Sequence, residues 1–339
     1  MKSLQVEYNI KPEVQVAVRG LTVEFRVSRG ILRAVDNVDL DIYRGEVLGL
    51  AGESGCGKSV LAHALLNLVD PNGYIKSGKV IFDGKIDVLS LPEDELRRFR
   101  WEKAAIVFQG AQNALNPVIR VSEHFFDTFF AHSKGDKKRS KSEIISRARK
   151  LLEQVRLDSD RVLRLFQHEM SGGMKQRTIT ALALLLSPEF LILDEPTSSL
   201  DVLTQKYILK LLRDLHEQTG ITMLFITHDL ACLAEIADRI AMMYLASIVE
   251  IAPVDEIFYN PRHPYTKILL DSIPSREKDI NEIKPLPGPI PDPINPPPGC
   301  KFHPRCPHAM PICKKVRPKL VDVGGGHLVA CHLYGGAKE

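Results

Sequence analysis

The sequence carries almost no net charge: 45 Lys and Arg against 42 Asp and Glu leave +3 over 339 residues. That balance excludes the strongly basic footprint of a dedicated nucleic-acid binder. Long hydrophobic runs are missing as well. Runs such as 181–186 and 190–193, parted by Ser187-Pro188, fall far short of the ~18 apolar residues that mark a membrane span. The opening Met1-Lys2-Ser3-Leu4-Gln5-Val6-Glu7 has no apolar leader core. A cytoplasmic chain that meets a membrane only through partners is therefore expected. No heptad pattern is sustained, which excludes a long coiled-coil insert. Cysteine is scarce until the last forty residues, which hold Cys300, Cys306, Cys313 and Cys331. Clustering of this kind in a reducing compartment favours a metal site over disulfides. Cys56 and Cys232 read as small packing residues.

What is present, 44% hydrophobic and 26% charged residues, suits a globular chain of about two domains. Residues 14–27 and 34–42 alternate apolar and polar as antiparallel strands do. Glu46-Val47-Leu48-Gly49-Leu50-Ala51 is a buried parallel strand by its nearly continuous apolar run, with helix following to Leu68. Helical periodicity dominates 122–186, broken by a polar loop at 133–142 that contains the solvated basic run 137–141. Buried strands return at 190–193 and 222–227 with a helix at 202–218 between them. This rhythm predicts an α/β, doubly wound core with a helical insert. Eight prolines within 285–298 read as a stiff connector of up to about 40 Å to a small C-terminal module.

Chemistry enters at Gly52-Glu53-Ser54-Gly55-Cys56-Gly57-Lys58-Ser59-Val60, between strand and helix. Glycines let successive amides turn toward one anion, and the following helix adds its positive end. In such a loop Lys58 reaches the β/γ-phosphates of ATP and the Ser59 hydroxyl takes Mg²⁺. Asp194, ending a buried strand, is placed to act on Mg²⁺, and Glu195 to polarise the attacking water. Ser171-Gly172-Gly173 opens another helix and forms a second phosphate-binding surface. One chain has little use for two such surfaces around one nucleotide, so the second is expected to serve another subunit's ATP.

With these residues in place the chain resembles the ABC ATPases, whose motifs run in order over 45–229. Gln109 is similar to the family's Q-loop glutamine, which senses the γ-phosphate and the membrane subunit and is expected to join Ser59 and Asp194 at Mg²⁺. Ser171, Gly172 and Gly173 resemble its signature, Ser199-Leu200-Asp201 its D-loop, and His228 its switch histidine. The resemblance implies a P-loop ABC ATPase fold: a RecA-like core, an antiparallel β subdomain and a helical subdomain at about 120–186. It also implies an adenine-stacking aromatic upstream of the loop. Phe25 is the candidate, with a core role as its alternative.

Asn260-Pro261-Arg262-His263-Pro264-Tyr265-Thr266-Lys267 and Gly299-Cys300-Lys301-Phe302-His303-Pro304-Arg305-Cys306-Pro307 resemble the oligopeptide/dipeptide importer ATPases. This implies a nucleotide-binding domain at 1–258 and a C-terminal domain at 259–339. It further implies a second, non-identical ATPase, two membrane permeases and an extracytoplasmic solute-binding protein, with no nucleic acid. The cysteine spacing C-x5-C-x6-C-x17-C matches neither zinc ribbons nor ferredoxins. The resemblance points to an iron–sulfur [4Fe–4S] extension, with structural Zn²⁺ as the alternative. Gly110-Ala111 follows Gln109 where peptide importers commonly have Asp-Pro, and Met170 replaces the usual Leu. Relatives that import oligosaccharides keep the cargo open between peptide and sugar. A nucleic-acid or ribosome ATPase with a metal-bearing tail, using Lys314, Lys315, Arg317 and Lys319, is the competing reading.

Overall fold

The computed structural model describes residues 13–132, 140–198, 200–272 and 287–335. Its first sheet grows from the alternating segments: β1 (Val14–Val27) and β2 (Gly30–Tyr43) form an antiparallel hairpin. The turn arrives earlier than the sequence pattern suggests, so β2 begins four residues before Ala34. β4 (Gly73–Phe82) joins β1, and β5 (Ile86–Asp87) joins β4, giving the order β2-β1-β4-β5. Val16, Val18, Leu21, Val23, Leu40 and Ile42 point to one buried face, as a period of two requires.

The second sheet has eight strands. Its parallel centre is β3 (Val47–Ala51), β6 (Ala104–Val107), β7 (Phe190–Asp194), β8 (Thr222–Ile226) and β9 (Arg239–Tyr244). β3, β7 and β8 are buried at every position, which explains their unbroken apolar sequences. β10 (Ser247–Pro253) turns back antiparallel on β9. α1 (Lys58–Leu65) leaves β3, α2 (Glu93–Glu102) precedes β6, and α7 (Val202–Thr219) links β7 to β8. Gly220 ends α7 in the left-handed conformation, the usual glycine C-cap.

Between β6 and β7 lie α3 (Val121–His132), α4 (Lys141–Gln154), α5 (Ser159–Val162) and α6 (Gly172–Ala183). Phe125, Phe129, Ile144, Ala148 and Leu152 pack this helical layer onto the core. Ser140 and Glu143 form a reciprocal capping box at the start of α4. No helix among the described residues is long and apolar enough to cross a membrane.

After α8 (Leu230–Ile236), α9 (Val254–Tyr259) and α10 (Pro264–Asp271), the C-terminal segment returns to the main sheet. β12 (Leu328–Val329) pairs with β10, and β11 (Val321–Asp322) pairs with β12. The order becomes β11-β12-β10-β9-β3-β8-β7-β6. Tyr244, Tyr265 and Phe302 weld this layer, with ring centroids 4.8, 5.2 and 5.5 Å apart in tilted and edge contacts. The described part of the proline segment, 287–298, does not stand off as a spacer. Asp292 ion-pairs with Arg29 at 2.7 Å, and Ile294 lies by Gly30 at the β1–β2 turn.

Candidate nucleotide site

Residues 52–59 connect β3 to α1. Gly52 and Gly57 have φ of 152° and 108°, and a Cβ at either would stand 2.1 Å from a backbone oxygen. Only glycine lets the loop wrap so closely. The first turn of α1 carries neither a side-chain cap nor an acidic residue, so its amides are free for an anion. Lys58 is buried, its ammonium donating to the carbonyls of Gly52 (2.8 Å) and Glu53 (3.1 Å).

The Ser59 hydroxyl donates to Asp194 Oδ1 at 3.1 Å. Asp194 is only 1% exposed, yet its Oδ2 has no hydrogen-bond partner; His63 Nε2 lies 3.6 Å away. A buried polar atom left so costs about 1–3 kcal/mol. A hydroxyl beside an orphaned carboxylate oxygen is a hard oxygen donor set, which fits Mg²⁺.

Glu195 follows in the left-handed region at φ 49°, a conformation that costs a non-glycine residue about 1–3 kcal/mol. Its amide donates to Ile226 O (2.9 Å), and the Ser198 hydroxyl donates to its carbonyl (2.9 Å). These bonds hold the turn that aims its carboxylate. His228 Nδ1 meets Glu195 Oε1 at 2.9 Å, and Gln109 Nε2 donates to Oε2 at 3.4 Å. Gln109 thus bonds to Glu195 rather than to Ser59 or Asp194, the expected Mg²⁺ ligands.

Ser171, Gly172 and Gly173 gather with Asp201 in a second group. The Ser171 hydroxyl accepts from the Met174 amide to cap α6. Asp201 caps α7 through Leu203 and Thr204, whose bonds lower its pKa. A Cβ on Gly173 would lie 3.1 Å from Thr204, so the two helix starts are neighbours. Among the described residues no hydrogen bond or ion pair joins this group to residues 52–59. Ser199, the first residue of the expected D-loop, lies outside the described residues.

Phe25 is partly buried and packs against the apolar core beside Gly73. Cys56 and Cys232 are buried; burial raises both thiols, Cys232 to about 12. They are packing residues, as expected. Three contacts escaped the sequence: His63 beside Asp194, and Tyr265 and Arg305 against Glu53. Tyr265 and Arg305 stood inside motifs whose purpose only the fold reveals.

A family model described as "ABC transporter" matches residues 35–198, and one described as "Oligopeptide/dipeptide transporter, C-terminal region" matches 249–313. The dipeptide transport ATP-binding protein DppD of Caldanaerobacter subterraneus is 47% identical over 94% of this chain and 97% of its own. The chain belongs to the ABC transporter ATPases. DppD of Bacillus subtilis is 38% identical over 95% of both chains. The ATP-binding cassette MJ0796, solved as a dimer with ADP and Pi, superposes with a TM-score of 0.62 at 29% identity. It covers 70% of this chain and 98% of that one. This ABC ATPase hydrolyses ATP, and the two-sheet fold with its helical insert is the one anticipated.

The iron–sulfur part of that expectation finds no direct support. All four C-terminal cysteines are free thiols, and Cys313 O accepts from the Cys300 amide at 2.8 Å. Burial pushes Cys300 up to about 11, with the other three thiols adding to the shift; Cys306 and Cys331 are raised too. The thiols therefore lie within electrostatic reach of one another. Yet among the described residues no group of three or more His, Cys, Asp or Glu is arranged to hold a metal ion. Cys313 is buried, whereas Cys300, Cys306 and Cys331 are half-buried.

Proposed function

We propose that this ABC ATPase powers a membrane importer of peptides. The observation that carries the reading is the cluster of residues 52–59, Asp194, Glu195 and His228. It occurs in a chain whose relatives, over nearly their full length, are named for dipeptide transport and peptide import. In this reading the amides of Gly55, Cys56, Gly57 and Val60, with Lys58, take the β/γ-phosphates of ATP. Ser59 and Asp194, with Gln109, would hold Mg²⁺, which would supply charge neutralisation on those phosphates. Glu195, aimed by His228, orients the attacking water and receives its proton as the γ-phosphoryl group passes to it and ADP leaves.

Glu195→Gln should cut turnover by at least about 100-fold while equilibrium ATP binding persists. Near-normal steady-state hydrolysis would reject the role.

The Ser171–Gly172–Gly173 helix start and Asp201 serve the nucleotide of a partner ATPase, whose own signature serves this one. The positive end of an α-helix N-terminus supports that use, and the related MJ0796 cassette is dimeric. ATP then closes the pair and hydrolysis opens it, the differential contact a transport cycle needs. We read the partner as a non-identical ATPase, docked with two permeases beneath an extracytoplasmic binding protein. Purification from native membranes should recover both ATPases; a single species would make the pair a homodimer.

Residues 1–258 form the nucleotide-binding domain in this reading, with a helical subdomain at about 120–186 spanning α3 to α6. Residues 259–339 form the C-terminal domain. Cys300, Cys306, Cys313 and Cys331 are read as ligands of a [4Fe–4S] cluster with a structural role, Zn²⁺ being the alternative. Ultraviolet–visible and EPR spectra of anaerobically purified protein decide it: a colourless, zinc-loaded sample rejects the cluster. No observation favours an oligosaccharide cargo. The nucleic-acid reading loses one of its cations, since Arg317 is bound to Asp36 and Ser247.

A further inference from the structure

Every polar group of Glu53, the second residue of the phosphate loop, has a partner, and its amide and carboxylate have theirs far along the chain. Its amide donates to the Tyr265 hydroxyl at 2.9 Å, and its carbonyl accepts from Lys58 at 3.1 Å. Its carboxylate takes both terminal nitrogens of Arg305, at 2.8 and 3.1 Å. Tyr265 is fully buried, and the Arg305 side chain is 4% exposed. Arg305 is held in turn: its Nε donates to Pro287 O at 2.9 Å, and its guanidinium lies over the Tyr244 ring. It directly precedes Cys306, in the loop that the Cys300–Cys313 backbone bond closes.

We infer that Arg305 is a positioning residue for ATP binding, acting through Glu53 to set the phosphate loop and Lys58. The inference rests on the assignment of residues 52–59 to the phosphates. An anionic side chain inside a loop that must receive a polyanion opposes its own ligand. Arg305 neutralises that carboxylate and pins it away from the loop's concave side, in the fork geometry that only guanidinium offers a carboxylate. Tyr265 fixes the Gly52–Glu53 peptide, whose Gly52 carbonyl accepts from Lys58 at 2.8 Å. The cysteine-bearing segment is thus a wall of the ATP site, reached across 252 positions of sequence.

The test is ATP affinity of the full-length chain, measured with a fluorescent ATP analogue and with ATP competition. Arg305→Met should weaken binding about tenfold, the modest end for stranding one partner of a largely buried charge pair. KM for ATP should rise with it while kcat stays within about threefold, the mark of lost ground-state binding. Glu53→Gln placed on Arg305→Met removes the stranded charge and should restore affinity to within about threefold of the parent. A double variant as weak as the single one would place the damage in the C-terminal fold and overturn the inference, as would an Arg305→Met protein of unchanged affinity. Should Arg305→Met fail to fold, Arg305→Lys carries the same test, since it keeps the charge and loses the fork. Weaker binding by the folded Arg305→Lys protein supports the brace; unchanged binding overturns it. Lys58→Ala is the control. If it still binds ATP, the phosphate-loop assignment itself fails; if it loses ATP while the Arg305 variants do not, only the brace fails.

Discussion

His263 shows how one side chain serves a motif. It is 1% exposed, caps α10 by accepting from the Tyr265 amide, and also hydrogen-bonds to the Ala330 backbone. Burial holds its pKa down at about 3, so the folded protein keeps the ring neutral. The unfolded chain protonates it near pH 6.5, so stability is complete above that pH and declines as the pH falls from 6.5 toward 3. Urea unfolding at pH 7.5 and 5.5 should show a loss of about 1 kcal/mol from this residue alone. His263→Asn, which keeps a capping acceptor, should remove that part of the loss. The sequence displayed His263, Pro264 and Tyr265 as a family mark without a task. Their tasks depend on Glu53 and Ala330, far along the chain, and no local pattern encodes such a meeting. Lys58, Ser59, Asp194 and Glu195 were legible for the opposite reason: strand-loop-helix and strand-turn geometry fixes them locally.

At the scale of elements, the buried strands and the α6 and α7 starts were readable because burial and capping are written in neighbouring residues. Ser171 caps α6 just as a Ser before two glycines should. Ser171→Ala should cost about 1 kcal/mol in urea unfolding; an unchanged midpoint would show that packing alone fixes the helix start. The β1–β2 turn and the path of the proline segment were not readable. Both depend on Asp292 and Ile294 meeting Arg29 and Gly30, a contact with no periodic signature. The strands β11 and β12 are two residues each, too short for alternation to register.

For the whole molecule, the two sheets respond to acid in sequence. Glu24, 1% exposed in the antiparallel sheet, is brought down to about 2 by Lys76, with Tyr74 and Arg33 adding to the effect against burial. Its contribution is full above about pH 4.5 and is lost as the pH falls toward 2. Thermal unfolding should therefore weaken in two steps, first through the His263 layer and then through the Glu24 sheet. Glu24→Gln should flatten only the lower one. The tie between ends of the chain has another consequence, for synthesis. Domains fold largely from the N-terminus as the ribosome delivers them, but the phosphate loop emerges early and its Arg305 and Tyr265 supports emerge late. A nascent chain that has delivered the phosphate loop but not yet residue 305 would carry an unbraced loop, and firm ATP binding would wait for that later segment to emerge.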